Sequence, residues 1–189
     1  FGFAGAASAQ DAGQGSPQTI DDIIVTAQKR EQNLQDVPIV VTSLSAETLQ
    51  DAGVRDIKDL QILTPGMTVT STQSEASTTV RIRGAGTVGD NPGLESSVGV
   101  VIDGVYRSRN SVGFGDLGEL SRIEVLKGPQ GTLFGKNTSA GVINIITERP
   151  SFDPSISAEL TAGNFGAVGG SVSATGPLTD NIAGRIFVA

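Results

Sequence analysis

The sequence predicts an α+β domain with a small mixed β-sheet and short helices, followed by the first antiparallel strands of a transmembrane β-barrel. Three observations predict it. Between about Gln35 and Arg149, short β-branched runs alternate with short capped helical segments. After Pro150 the chain changes to segments of about nine residues, apolar on one side and small-polar on the other, joined by tight turns. No stretch approaches the roughly 18 uninterrupted apolar residues of a membrane-spanning helix, so a membrane crossing would be made by strands. A soluble β-sandwich hairpin has the same alternation, and from pattern alone both architectures stand.

Phe1 to Ala9 are apolar and small and end Ala7-Ser8-Ala9. This is the small-residue pattern of a secretory cleavage site, which makes Gln10 the first mature residue; a plain Ala/Gly tail has the same composition. Gln10 to Thr19, with Gly13, Gly15 and Pro17, reads as a flexible linker. Asp21-Asp22-Ile23-Ile24-Val25-Thr26-Ala27 is a short β-branched run behind two acids, and polar Gln28 to Gln35 follows it. So short a strand between linkers cannot bury itself. It is either an edge strand of the next domain or a strand offered to a partner.

Val37 to Thr42 reads as the first strand of the folded unit, with Pro38 near its start, where a missing N–H is tolerated. Ser45 is a good N-cap for a helix through about Ala52, with Gly53 beyond its end. Ile57, Leu60 and Ile62 define a second short helix that stops before Thr64-Pro65-Gly66. Met67–Thr70, Thr79–Arg83, Val98–Asp103, Arg122–Leu126 and Gly141–Thr147 are strand-like. Beyond Pro150, Ile156, Ala158, Leu160 and Ala162 alternate with Ser157, Glu159 and Thr161. Gly163-Asn164-Phe165-Gly166 turns the chain. Val168, Gly170, Val172 and Ala174 alternate again, and a second turn spans Gly176-Pro177 to Asn181. Ile182 opens a third run in which Phe187 shares parity with Arg185, so its alternation is imperfect. The run is still continuing at Ala189 and the chain begins with Phe1, so a piece of a longer protein is expected.

Composition narrows the function. A net charge of -7 over 189 residues argues against a nucleic-acid-binding surface. There is no Cys and no His, so a thiolate metal site, a cysteine nucleophile and a histidine base or ligand are excluded. Any metal handled here would arrive inside a chelate or be held by carboxylates. No resident cofactor and no catalytic set are expected.

Two motifs imitate nucleotide sites. Gly84-Ala85-Gly86-Thr87-Val88-Gly89 fits G-x-G-x-x-G, with Asp103 about 20 residues on. The mechanism requires a helix opening within the motif, and Asp90-Asn91-Pro92-Gly93 breaks one at once. Gly131-Thr132-Leu133-Phe134-Gly135-Lys136-Asn137 is one residue short of a phosphate-binding loop, and Asn stands where Ser or Thr should hold Mg²⁺. A soluble nucleotide-binding enzyme would need the first motif to be real.

Taken in order, the segments resemble the TonB-dependent receptors. Asp21 to Ala27 is similar to the TonB box. Val37-Pro38-Ile39-Val40-Val41-Thr42 resembles the first strand of the plug domain, and Arg81-Ile82-Arg83-Gly84 and Val101-Ile102-Asp103-Gly104-Val105-Tyr106 resemble internal plug signatures. Most specific are Ile123-Glu124-Val125-Leu126-Lys127-Gly128-Pro129-Gln130-Gly131-Thr132-Leu133-Phe134-Gly135 and Ser139-Ala140-Gly141-Val142-Ile143-Asn144-Ile145-Ile146-Thr147. The resemblance covers about Asp21 to Arg149.

It implies four parts: the end of a signal peptide (1–9), a flexible periplasmic tether (10–34) holding the TonB box (21–27), a plug (35–149), and the first barrel strands (150–189). It implies a Gram-negative outer membrane contacted by the barrel, and a partner, TonB, energised by the inner-membrane ExbB/ExbD complex. TonB would bind Asp21, Asp22, Ile23, Ile24, Val25, Thr26 and Ala27 as an added strand. The cargo would be a scarce nutrient, foremost a ferric siderophore, with vitamin B12, glycans or another chelate as alternatives. A signalling receptor is disfavoured, because about a dozen residues between Gln10 and Asp22 leave no room for an extra folded domain.

Two loops are expected to face the substrate. One carries Arg83, Asp90 and Asn91; the other carries Tyr106, Arg107, Arg109 and Asn110. Arg107 and Arg109 would grip an anionic ligand and Tyr106 would stack on a ring; the alternative is plain solvated loops. Arg122, Glu124 and Lys127 are expected either to pair with charges on the barrel wall or to pair within the plug.

Overall fold

The computed structural model describes residues 23–54, 56–71, 78–87, 94–107, 119–166 and 168–188. Two short strands come first, β1 (Ile24–Val25) and β2 (Gln32–Asn33), paired antiparallel. β3 (Val40–Ser45) runs into α1 (Ala46–Asp51), and a 3₁₀ turn over Ile57–Asp59 into α2 (Leu60–Leu63). β4 (Met67–Ser71) and β5 (Thr78–Ile82) make an antiparallel ribbon. Next are β6 (Val98–Ile102), β7 (Val105–Arg107), β8 (Leu120–Lys127), the single turn α3 (Gly131–Phe134) and β9 (Gly141–Thr147). Three further strands, β10 (Ser155–Ala162), β11 (Val168–Thr179) and β12 (Ile182–Val188), form their own antiparallel sheet.

The central sheet has the order β3-β8-β9-β6-β7, with β6 and β9 parallel and the other neighbours antiparallel. Side-chain alternation sends Leu44, Val98, Val100, Ile123, Val125, Ile143 and Ile145 to one face. There they meet Leu49 of α1, Ile57, Leu60 of α2, and Met67, Val69, Val80 and Ile82 of the ribbon. The opposite face presents Val101, Leu126 and Val142, which pack against Val25, Ala27 and Val37. Burial on both faces is why β6 and β9 read as nearly continuous apolar runs.

The helices start where the sequence places them. The Ser45 hydroxyl accepts the Thr48 N–H at 3.2 Å, and Gly53 follows α1 with φ +67°. The first folded strand begins at Val40, three residues later than expected. Val37 instead donates its N–H to Leu34 O, and its side chain packs into the smaller core cluster.

The start of the dinucleotide-like motif and its distant acid both lie in turns. Arg83 and Gly84 both have positive φ, 55° and 76°, and Ile82 and Ala85 exchange both backbone hydrogen bonds across them. The first glycine of the motif thus sits in a two-residue reversal and opens no helix. Asp103 and Gly104, at φ 48° and 81°, make the same kind of turn between β6 and β7. The Asp103 carboxylate accepts the N–H and hydroxyl of Thr147 at 2.9 and 2.8 Å.

β10 to β12 form a single layer with unlike faces. Ile156, Leu160, Val172, Ile186 and Val188 project from one side and are strongly exposed. Ser157, Ser173, Thr175 and Arg185 lie on the other. An unpartnered apolar face of this kind suits lipid, as on the outside of a membrane barrel. β11 continues through Thr179, beyond the turn expected at Gly176-Pro177. Pro177, which has no N–H to give the ladder, sits beside a register shift between Pro177 and Thr179, and the chain reverses at Asp180-Asn181.

Candidate partner-binding site

The segment Ile23 to Ala27 lies across the second face of the central sheet. Val25 and Ala27 are fully buried there, while Ile23 and Ile24 remain about half exposed, at 50% and 43%. One backbone edge is taken by β2: Ile24 is opposite Asn33, Val25 is opposite Gln32, and Leu34 donates to Ile23 O at 2.8 Å. A turn closes the segment, with Lys29 N–H donating to Thr26 O at 2.9 Å. The Lys29 ammonium sits 5.5 Å from the centre of the Phe134 ring on α3.

Thr26 meets the only fully buried acid among the described residues. Its N–H donates to Glu124 Oε1 at 2.7 Å, and its hydroxyl lies 3.1 Å from each carboxylate oxygen. Arg122 Nε donates to Glu124 Oε1 at 2.8 Å, and Asn144 Nδ2 donates to Glu124 Oε2 at 3.1 Å. The same amide also reaches Thr26 Oγ1 at 3.1 Å. Register explains the cluster: Glu124 of β8 stands opposite Asn144 of β9, and both point to the face that the segment covers. A buried carboxylate with this many donors is satisfied, so its burial is tolerated.

Of the two pairings expected of Glu124 and Arg122, the described contacts show the one within the domain, where the two side chains meet each other. Glu124 is 0% exposed and its partners all belong to the domain. Lys127, at the end of β8, donates to Pro65 O at 3.0 Å. Burial, and secondarily the nearby Arg83 charge, hold the Lys127 ammonium below its ordinary pKa. Part of the expected tether, Ile23 to Leu34, is here seated on the domain.

The expected ligand loops are only partly described. Asp21, Asp22, Asp90, Asn91, Arg109 and Asn110 lie outside the described residues, as do 1–20, which include the expected signal remnant. Arg83 is exposed in its turn, with its N–H on Gly66 O at 2.7 Å. Tyr106 and Arg107 are on strand β7, not in a loop. Tyr106 is half-buried against the smaller core cluster, and its hydroxyl accepts from Asn137 Nδ2 at 3.0 Å, so the ring packs within the domain. Beside it, Lys136 Nζ donates to Glu95 Oε1 at 2.7 Å. That hydrogen bond, then one from Asn137, lowers the Glu95 pKa, and the same bond raises that of Lys136.

Sequence reasoning missed two residues. Asn144 had a signal: a lone amide inside Val142-Ile143-Asn144-Ile145-Ile146, where a buried polar group needs a partner. Glu119 had none, since it precedes β8 in an unpatterned stretch. Its carboxylate accepts from Ser157 Oγ at 2.7 Å and from Ser173 Oγ, and pairs with Arg185.

Comparison with known proteins bears on this geometry. The family described as "TonB-dependent Receptor Plug Domain" matches residues 33–142. The pesticin receptor of Yersinia pestis is 31% identical over 173 residues, covering 89% of this chain and 25% of the relative. The iron-regulated outer membrane virulence protein of Vibrio cholerae is 31% identical over 203 residues, covering 98% of this chain and 29% of the relative. Among solved structures, the ferric yersiniabactin uptake receptor FyuA from Yersinia pestis superposes with a TM-score of 0.69 at 27% identity. That superposition covers 79% of this chain and 23% of FyuA. The chain thus spans about a quarter of the length of the curated relatives it matches.

Proposed function

Because this chain belongs to the TonB-dependent receptor plug-domain family, we propose that it is the amino-terminal part of an outer-membrane importer, energised by TonB, whose leading cargo is a ferric siderophore. The parts are the end of a signal peptide (1–9), a tether (10–34), the plug (35–149) and the first wall strands (150–189). TonB, driven by ExbB/ExbD, reads Asp21 to Ala27 as an added strand. The protein carries cargo and performs no bond chemistry. The iron-regulated and ferric-chelate receptors among its relatives support the cargo class.

The observation that carries the reading is the seat of Thr26 on Glu124. It gives the box a resting place that is polar at its centre and apolar at its flanks. Withdrawing the box exposes Val25 and Ala27, at a cost of about 2–3 kcal/mol, and leaves the larger core cluster closed. Main-chain pairing with a foreign sheet edge is of the right size to offset such a cost.

The test uses a strain lacking the full-length protein, complemented with wild type or Val25→Pro, and supplied in turn with ferric chelates, vitamin B12 and glycans. Proline at position 25 removes the backbone donor of a pairing strand. The expected result is cargo binding at the cell surface with loss of energised uptake, on ferric chelates. Uptake by Val25→Pro at the wild-type rate would exclude this segment as the one TonB reads.

A further inference from the structure

The domain and the three-stranded layer meet at one carboxylate. Glu119 accepts from Ser157 on β10 at 2.7 Å, from Ser173 on β11, and pairs with Arg185 on β12. One side chain of the plug therefore holds three consecutive strands. Serine on β10 and β11 lets the carboxylate approach the layer closely, and Ser173 is buried in doing so. Arg185 does a second thing: its Nη1 donates to Arg149 O at 3.4 Å, on the segment that joins the two bodies.

That joining segment, 148–154, is short, includes Pro150 and Pro154, and is tied at several points. Glu148 N–H donates to Glu119 O at 3.0 Å, and Ser151 N–H donates to Thr175 Oγ1 at 2.9 Å. The Glu119 and Arg185 side chains are 28% and 17% exposed, so water screens the charges less than at an open surface. The domain cannot tilt away from the layer at this corner without separating the pair. Glu124, on the strand that Glu119 precedes, serves a different purpose: it faces the box and touches none of the three strands among the contacts described.

We propose that Glu119 and Arg185 form a clasp that keeps the plug seated against the wall and the pore closed to passive leak, separately from the docking of the box. The clasp rests on the barrel reading given above. Glu119 and Arg185 are positioning residues that touch no cargo.

The test is sugar-driven swelling of liposomes containing the purified full-length receptor, with sucrose and stachyose as probes and neither cargo nor TonB present. Glu119→Lys and Arg185→Glu should each raise the swelling rate roughly tenfold, since a lost partly buried charge pair shifts a closed-to-open balance by about that factor. The exchanged pair, Glu119→Lys with Arg185→Glu, should return most of the way to the wild-type rate, a recovery that general destabilisation would not give. Single variants as tight as wild type, or an exchanged pair as leaky as the singles, would overturn the clasp. Where the charge reversals give no heat-resistant barrel band on gels, Glu119→Gln and Arg185→Gln take their place. Failure of these milder variants to form a barrel would also overturn it, by making the pair a folding requirement. A wild-type protein that shows no heat-resistant band would instead refute the barrel reading.

Discussion

The backbone N–H of Thr26 donates to the carboxylate of Glu124 at 2.7 Å, joining two residues 98 positions apart in the chain. Thr26 belongs to the segment proposed for the partner, and Glu124 to the sheet beneath it.

Thr26→Val keeps the shape and the N–H bond but removes the hydroxyl that Asn144 and Glu124 share. The docked state should lose about 1–2 kcal/mol. These 189 residues contain no cysteine, so in a full-length receptor made cysteine-free elsewhere a spin label at an introduced Ile24→Cys reports on this segment alone. The mobile spectral fraction should rise several-fold in Thr26→Val.

Glu124→Leu strands Arg122, Asn144 and the Thr26 N–H around an apolar side chain. Its cost should be about 3–5 kcal/mol, the range seen when one partner of a buried charge pair is removed. Glu124→Gln keeps the acceptor and should cost about 1–3 kcal/mol. Calorimetry of the plug transition in the full-length protein separates the two; equal losses would mean that the charge itself contributes nothing.

Gly141→Ala should destabilise the plug through its backbone. A Cβ at 141 would stand 2.4 Å from Leu126 O and 2.7 Å from Ile82 Cδ1, one a backbone atom that cannot turn aside. A loss of about 1–3 kcal/mol is expected. Gly169→Ala, where a Cβ meets nothing within 4 Å, is the matched comparison and should lie near wild type in the same melt.

The Glu95–Lys136 tie sets a pH window. Glu95 is held below the usual carboxylate range, so its contribution is full above its unfolded pKa and fades as pH falls through the lowered folded value. Lys136 is held above its usual value, so its contribution is full below its unfolded pKa and fades as pH rises through the raised one. Carbon NMR of labelled glutamate should show the Glu95 midpoint moving up toward the ordinary range in Lys136→Met, with the Asn137 hydrogen bond keeping part of the lowering.

On the apolar side of the wall layer, Leu160→Arg should obstruct membrane insertion. Leu160 is 89% exposed in this chain, and a lipid-facing arginine costs about 2–4 kcal/mol at the bilayer midplane. Thr161→Arg, on the other face and away from Glu119, should insert normally in the same heat-resistance assay.

Much of this was legible in the sequence because it is local. The Ser45 cap, the strand periods of β6, β8 and β9, and the alternation of β10 to β12 are written in neighbouring residues. What was illegible depends on which residues meet from afar. Glu124 and Asn144 share a face only because β8 and β9 are neighbours in register. Tyr106 looked like a loop residue because the two-residue turn at Asp103-Gly104 leaves only three residues for β7. Glu119 gave no signal, since its three partners lie 38 or more positions downstream.

The strand order has a consequence for how the protein is made. β3 has β8 as its sheet neighbour, and β6 cannot pair with β9 until Gly141 to Thr147 exist. A chain emerging amino-terminus first therefore carries Val40, Val41 and Leu44 for some eighty residues with no native ladder to join. Such delayed, non-local closure is slow and leaves sticky intermediates. The polypeptide should therefore depend on escort by a holding chaperone from the moment β3 appears until β9 is complete.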